Sequence, residues 1–422
     1  MDKFLINGPC QIKGKVTIAP SKNAAIPILA STLLFDKPVV IKNLPRVKDI
    51  DTMISLLRSL GSKIILSKDN RTAKIINKKS TKTVAKYSIV KKMRGSFLVL
   101  GPLIAKQNNS KCSLPGGCSF GGTRPVNYHL EGLKKLGMNY RLKDGYIIAK
   151  SKGKLKGTSF KFPKITVGGS QNLIIAACLA KGKTVLRNTC LEPETKDLTK
   201  FLNLAGAKIK WSGRTCTIEG VNSLKQTEYS IMPDRIMAGT FCIAACLNKG
   251  ELEIDNINSE IINAELNLLK KIGAIIKTSN NKIFIKGPKK IKSIKNIVTK
   301  EYPGVATDLQ SQLMVLMCKA NGKSIITENI FSNRFSHAAE LKRLGAKINI
   351  KNNKAFIEGV KKLVAAPLIS SDLRGSIALV LAATAAEGVS KVDRVYHAYR
   401  GAENFVNKLK KIGVKIKVLK NE

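Results

Sequence analysis

Residues 341–350 read LKRLGAKINI. The leucine-rich half closes a helical stretch, Gly345 stops it, and AKINI opens a strand. Glycine suits that stop because it reaches positive φ without a Cβ clash. The pattern Leu-x-x-apolar-Gly occurs six times, ending at Gly61, Gly137, Gly206, Gly273, Gly345 and Gly413. Spacings between 67 and 76 residues mark an internal repeat.

More elements recur in phase with it. A second strand closes on glycine, as in CTIEG (216–220) and AFIEG (355–359). A looser strand follows, as in YSIMPDR (229–235) and LISSDLR (368–374). Then come an Ala-rich apolar helix, such as SIALVLAATAAEG (376–388), a Gly turn and a further strand, such as GKSIITEN (322–329). Each unit is a mixed β/α module of about 70 residues. Six such modules are too large and too few for a solenoid, and they predict an α/β (α+β) protein of two three-module domains. The last module lacks its second strand pair, and FLINGPCQIKGKVTI (4–18) resembles the missing piece. The expected domains are therefore residues 20–232 and residues 1–19 plus 233–422, with a cleft between them as a ligand site.

A chain of 422 residues is long enough to bury a large core without disulfides or metals. Its 44% apolar content excludes disorder, and no apolar run approaches the roughly 20 residues that span a bilayer. The first residues have no signal-peptide layout, and nine cysteines without a CxxC pair fit a reducing compartment, so a cytoplasmic location is expected. His129, His337 and His397 are scattered, so neither a metal nor a cofactor is expected. The net charge of +46 raises the prospect of a polyanion-binding protein. Against it, 60 lysines and only 14 arginines are spread along the whole chain, and aromatics reach 5%. Compositional drift is the preferred reading, with strong attraction for anionic substrates and no specific nucleic acid.

The residues that start the apolar helices are Ser21-Lys22-Asn23, Met93-Arg94-Gly95, Gly168-Gly169-Ser170, Asp234-Arg235, Thr307-Asp308 and Asp372-Leu373-Arg374. Helix amino ends suit phosphates and carboxylates, and a cation there needs an anion or a partner carboxylate. Taken together the junctions point to an anion-binding cleft. The structural alternative is an Asp372–Arg374 ion pair and capping by Asp234, Thr307 and Asp372. SLPGGCSFGGTRPVNYH (113–129) surrounds Cys118 with glycines in a basic loop, which suits a reactive thiol.

The segments SKNAA (21–25), KMRGS (92–96), LPGGC (114–118), RPVNYH (124–129), LEPE (191–194), MPDR (232–235), TDLQSQ (307–312), ENIFSNRF (328–335), SDLR (371–374) and RVYHAYRGAE (394–403) together resemble the enolpyruvyl transferase family. The resemblance runs the length of the chain and implies two inverse α/β barrels. The PGGC loop followed by RPV is similar to the branch acting on UDP-N-acetylglucosamine rather than on shikimate 3-phosphate. It implies transfer of the enolpyruvyl group of phosphoenolpyruvate to the sugar 3′-hydroxyl, with release of phosphate, at the start of peptidoglycan synthesis.

By that resemblance Lys22, Arg124 and Arg400 hold phosphoenolpyruvate beside Asn23. Cys118 is the proton donor and forms a covalent adduct. Asp308 contacts the sugar hydroxyl as a general base. Arg94, Arg124, Pro125, Val126, Asn127, Tyr128, Lys164, Thr166, Val167 and Ile330 line the UDP-sugar site. Arg334, Asp372 and Arg374 are charged positioning groups. The sequence departs from the family at two points. Five residues rather than four separate Cys118 from Arg124, and Leu98 stands where the family often has Trp. The two small-molecule substrates are the only partners expected, and a monomer is the expected state. The shikimate-pathway reaction and a non-catalytic polyanion binder are the competing readings.

Overall fold

The computed structural model describes residues 2–77, 82–116, 126–332 and 334–420. These form two compact units. One comprises residues 20–116 and 126–232, the other residues 2–19 and 233–420 without residue 333.

The repeat is visible in the sheets. In the unit beginning at Pro20, the strand orders are 227–230/39–42/73–76/63–66, 84–85/109–113/146–151/138–143 and 159–161/183–187/215–219/208–212. In each, the first pair is parallel and the other two pairs are antiparallel. The other unit repeats this with 13–17/251–255/282–286/275–279 and 297–298/323–327/354–358/347–351. Its third sheet sets 363–364 and 367–369 beside 386–393, followed by 3–8 and 416–419. The amino-terminal strand Lys3–Gly8 thus pairs antiparallel with both 386–393 and 416–419, and Lys13–Thr17 pairs parallel with Glu251–Asp255 in another sheet.

The apolar helices sit inside. Every residue of Arg235–Leu247, Gln310–Cys318 and Leu373–Ala385 is buried. Beyond the polar residues of their first turns these helices are largely apolar on every side, which leaves them no stable place but the core. The Leu-x-x-apolar-Gly helices are amphipathic and lie outside. Lys48–Ser59, for example, buries Ile50, Met53, Ile54, Leu56 and Leu57 on one side. The strands alternate in the same sense: in Lys354–Glu358 only Ala355 and Ile357 are buried.

Each repeated glycine stops its helix in the left-handed region, with φ between 88° and 105° at Gly61, Gly137, Gly206, Gly273, Gly345 and Gly413. Their N–H groups return to the carbonyls of Arg58, Lys134, Asn203, Lys270, Lys342 and Lys410. The glycines that end the second strands have a different function. A Cβ would lie 1.6 Å from Ala180 O at Gly220, 1.6 Å from Ala320 O at Gly359 and 2.4 Å from Ala386 O at Gly8. Only a residue without Cβ lets those strands meet backbone so closely. No helix among the described residues is long and apolar enough to cross a membrane.

Candidate active site

In the unit beginning at Pro20, Lys22 opens the helix Lys22–Ser31, which Ser21 caps through the Ala24 N–H. The Lys22 ammonium lies 2.6 Å from Asp49 Oδ2, and both side chains are nearly buried. Asp49 sits in the first turn of Lys48–Ser59, and no motif had singled it out. It is the partner carboxylate that a lysine at a helix amino end calls for. Asn23 beside Lys22 is half-buried.

Arg94 opens a 3-10 turn, Arg94–Val99, and is half-buried. Leu98 is buried in the apolar core. The helix Val167–Ala177 begins with Thr166, whose hydroxyl accepts from Gly169 N–H, while Val167 and Lys164 are exposed. Val126 is buried, Asn127 exposed and Tyr128 half-buried at the start of Asn127–Lys135. Cys118, Arg124 and Pro125 lie outside the described residues. Trp211 belongs to strand Lys208–Ser212, where its indole N–H donates to Thr199 and Lys196 covers its ring.

The other unit gathers Asp308, Arg334 and Arg374. Arg334 donates to Asp308 Oδ1 at 2.7 Å and to the Thr307 hydroxyl at 3.0 Å, while Arg374 donates to Asp308 Oδ2. Both guanidiniums are buried, and the carboxylate is half-buried. Burial alone would raise the Asp308 pKa, but the charges of Arg374 and Arg334 outweigh it and hold the carboxyl far below its usual range. Arg374 keeps one buried donor, Nη1, without a hydrogen-bond partner among the described residues.

The structural alternative at these junctions is met only in part. Asp234 caps Ile236 and Met237, and Asp372 caps Gly375 at 2.7 Å. Thr307 does not cap its helix; its hydroxyl donates to Glu328 at 2.9 Å. Arg374 is hydrogen-bonded to Asp308, not to Asp372. Glu328 is a further residue that the motifs did not assign a role. Its other oxygen accepts from Ile330 and Phe331 N–H at 2.8 and 3.1 Å, which fixes the backbone at Ile330. His337 is buried near Asp372, and burial pushes its pKa down to about 4 despite that carboxylate. Arg400 is half-buried at the end of the turn Tyr396–Tyr399.

In one unit a lysine at a helix amino end suits a small anion, and in the other a carboxylate pinned between two guanidiniums suits the orientation of a hydroxyl. Across residues 6–409 the chain matches the family model described as EPSP synthase (3-phosphoshikimate 1-carboxyvinyltransferase). The chain belongs to the enolpyruvyl transferase family. It is 56% identical over 99% of both chains to a UDP-N-acetylglucosamine 1-carboxyvinyltransferase of Pelagibacter ubique. To proteins of the same description from Trichlorobacter lovleyi and Geobacter metallireducens it is 45% and 44% identical, over 99% and 100% of both chains. Among solved structures, the enolpyruvyl transferase NikO of Streptomyces tendae matches with a TM-score of 0.89 at 21% identity, covering 100% of this chain and 99% of that one. An EPSP synthase of Acinetobacter baumannii matches all of both chains with a TM-score of 0.78 at 18% identity. The mixed α/β architecture of repeated modules is that of the enolpyruvyl transferase fold.

Proposed function

We propose that this enolpyruvyl transferase moves the enolpyruvyl group of phosphoenolpyruvate to the 3′-hydroxyl of UDP-N-acetylglucosamine and releases phosphate. The observation that carries the reading is the 56% identity, end to end, to a relative named for this acceptor. The product is a precursor for peptidoglycan.

In the proposed mechanism, Lys22, Arg124 and Arg400 bind the carboxylate and phosphate of phosphoenolpyruvate, with Asn23 beside them; arginine forks match both groups. Arg94, Arg124 to Tyr128, Lys164, Thr166, Val167 and Ile330 hold the UDP-sugar. The sugar hydroxyl oxygen bonds to C2 of phosphoenolpyruvate while C3 takes a proton from Cys118. Asp308 accepts the hydroxyl proton, oriented by Arg334 and Arg374. Loss of phosphate and of a C3 proton then restores the double bond. A carboxyl held so acidic is a weak base, so proton transfer to Asp308 requires its arginine contacts to loosen as the C–O bond forms. Asp372 serves as a positioning residue through its cap on the helix that carries Arg374.

Phosphate release from phosphoenolpyruvate tests the reading. Release with UDP-N-acetylglucosamine alone is expected. Release only with shikimate 3-phosphate would place the protein in the sister branch, and silence with both from folded protein would refute the activity.

A further inference from the structure

Two backbone groups fix the carboxamide of Asn172. Its Oδ1 accepts from the Gly101 N–H at 2.8 Å, and its Nδ2 donates to the Phe97 carbonyl at 3.4 Å. Exchanging oxygen and nitrogen would set donor against donor and acceptor against acceptor, so one orientation satisfies both groups. Gly101 permits the approach, because a Cβ there would lie 2.2 Å from Oδ1. Nδ2 also lies 3.0 Å from Nδ1 of His129. An amide nitrogen has no acceptor capacity, so Nδ1 accepts and the proton of a neutral ring sits on Nε2.

His129 is 8% exposed, and the Phe97 ring meets it edge-on at 5.3 Å. Burial, with the Arg94 charge second, pushes its pKa down to about 3. Nε2 has no hydrogen-bond partner among the described residues. It lies over Gly168, where a Cβ would be 3.1 Å away. Gly168 is the second residue of the helix Val167–Ala177, whose amino end attracts anionic oxygens.

We infer that Asn172 is a positioning residue that locks His129 as the Nε2–H tautomer, so that a neutral imidazole donates to an anionic oxygen of the substrate at the amino end of Val167–Ala177. The inference rests on the proposed placement of the UDP-sugar beside Lys164 to Val167. A neutral donor keeps its hydrogen bond unchanged across physiological pH, which a titrating histidine would not do.

The chain has three histidines, so 15N-histidine labelling of the full-length protein leaves three imidazoles to resolve, and His129→Gln identifies the relevant one. The expected ring has Nδ1 unprotonated, Nε2 protonated and no titration between about pH 5 and 8. An Nδ1–H ring, or one that titrates in that range, overturns the lock whatever the acceptor substrate is. Asn172→Asp presents a carboxylate to Nδ1 and should bring the ring into titration there. Kinetics supply the second arm. His129→Gln retains an N–H near the Nε2 position and should keep the KM for UDP-N-acetylglucosamine within about threefold, whereas His129→Phe should raise it about tenfold with less change in kcat. Equal KM values in the two variants overturn the donor role. A wild-type protein that releases no phosphate with this acceptor refutes the functional reading, and the NMR result still decides the tautomer.

Discussion

The ammonium of Lys22 stands 2.6 Å from the carboxylate of Asp49, with both side chains nearly buried. The pair neutralises a cation at a helix amino end, where the dipole disfavours it. It also ties the lysine side chain to one carboxylate position.

Removing the carboxylate should therefore weaken the free protein and sharpen its response to an anion. Asp49→Asn is expected to cost about 3 kcal/mol, because it leaves a buried charge uncompensated. Thermal unfolding with and without phosphoenolpyruvate checks this. The ligand should raise the Tm more in the variant than in the wild type. Equal shifts would argue against contact between Lys22 and the substrate.

Asp308 makes a prediction about pH. Its folded pKa lies below the unfolded value of about 3.9. The stability it contributes is present above that value and is lost only as pH falls through the folded pKa. No acid limb of the rate above about pH 4 should arise from this group. Arg374→Lys withdraws the fork and should move the acid limb of kcat/KM upward. Asp308→Asn should lower kcat about a hundredfold or more while calorimetry still detects the UDP-sugar. Loss of binding alone would remove Asp308 from the general-base role.

Thiol chemistry should be confined to one residue. The eight cysteines among the described residues are buried. Burial pushes Cys112, Cys178, Cys246 and Cys318 up to about 12. Brief alkylation of folded protein should modify Cys118 alone, and Cys118→Ala should lower turnover and abolish labelling by an electrophilic phosphoenolpyruvate mimic. Peptide mapping that finds another cysteine modified, or a fully active and still labelled variant, would contradict this.

Asp197 should tilt the pH dependence of stability. Tyr229 donates to its Oδ1 at 2.6 Å and Met232 N–H to its Oδ2 at 3.4 Å, yet burial prevails and raises its pKa to about 6. The folded state binds the proton more tightly than the unfolded one, so stability declines as pH rises from about 4 to about 6, by roughly 2–3 kcal/mol. Denaturant titrations of wild type and Asp197→Asn across that window should differ by this slope. Parallel curves would show the group to be unperturbed.

Two glycines in one module separate backbone strain from close contact. At Gly345, φ is 88° and nothing lies within 4 Å of an added Cβ, so Gly345→Ala should cost about 1–2 kcal/mol. At Gly359 the added atom would sit 1.6 Å from Ala320 O, and Gly359→Ala should cost at least about 3 kcal/mol. Similar midpoints for the two variants in urea would refute the distinction.

Much of the fold is legible because the repeat writes it six times. The stop at Gly345 and the strand after it rest on local rules, namely a positive φ and the order of helix, turn and strand. The Ala-rich helices are recognisable as interior because no face of them is polar. The site was less legible. Arg334 and Arg374 are 26 and 66 residues from Asp308 along the chain, and by sequence alone Arg374 pairs as well with the nearer Asp372. Asp49 and Asn172 lie in no motif, and Glu328, the first residue of ENIFSNRF, is given no role by it. Asp49 and Asn172 act on Lys22 and His129, 27 and 43 residues away, and a partner distant in sequence leaves no local pattern.

The sequence by itself determined the modules, their order and the chemical types at the helix starts, since each depends on residues within a turn or two of one another. Only the tertiary structure decided which carboxylate faces which cation and which imidazole nitrogen bears the proton. Lys22 to Asp49, Arg374 to Asp308 and Asn172 to His129 are interactions across 27, 66 and 43 residues. Packing sets those distances, and hydrogen bonding and Coulomb attraction act only once it has done so.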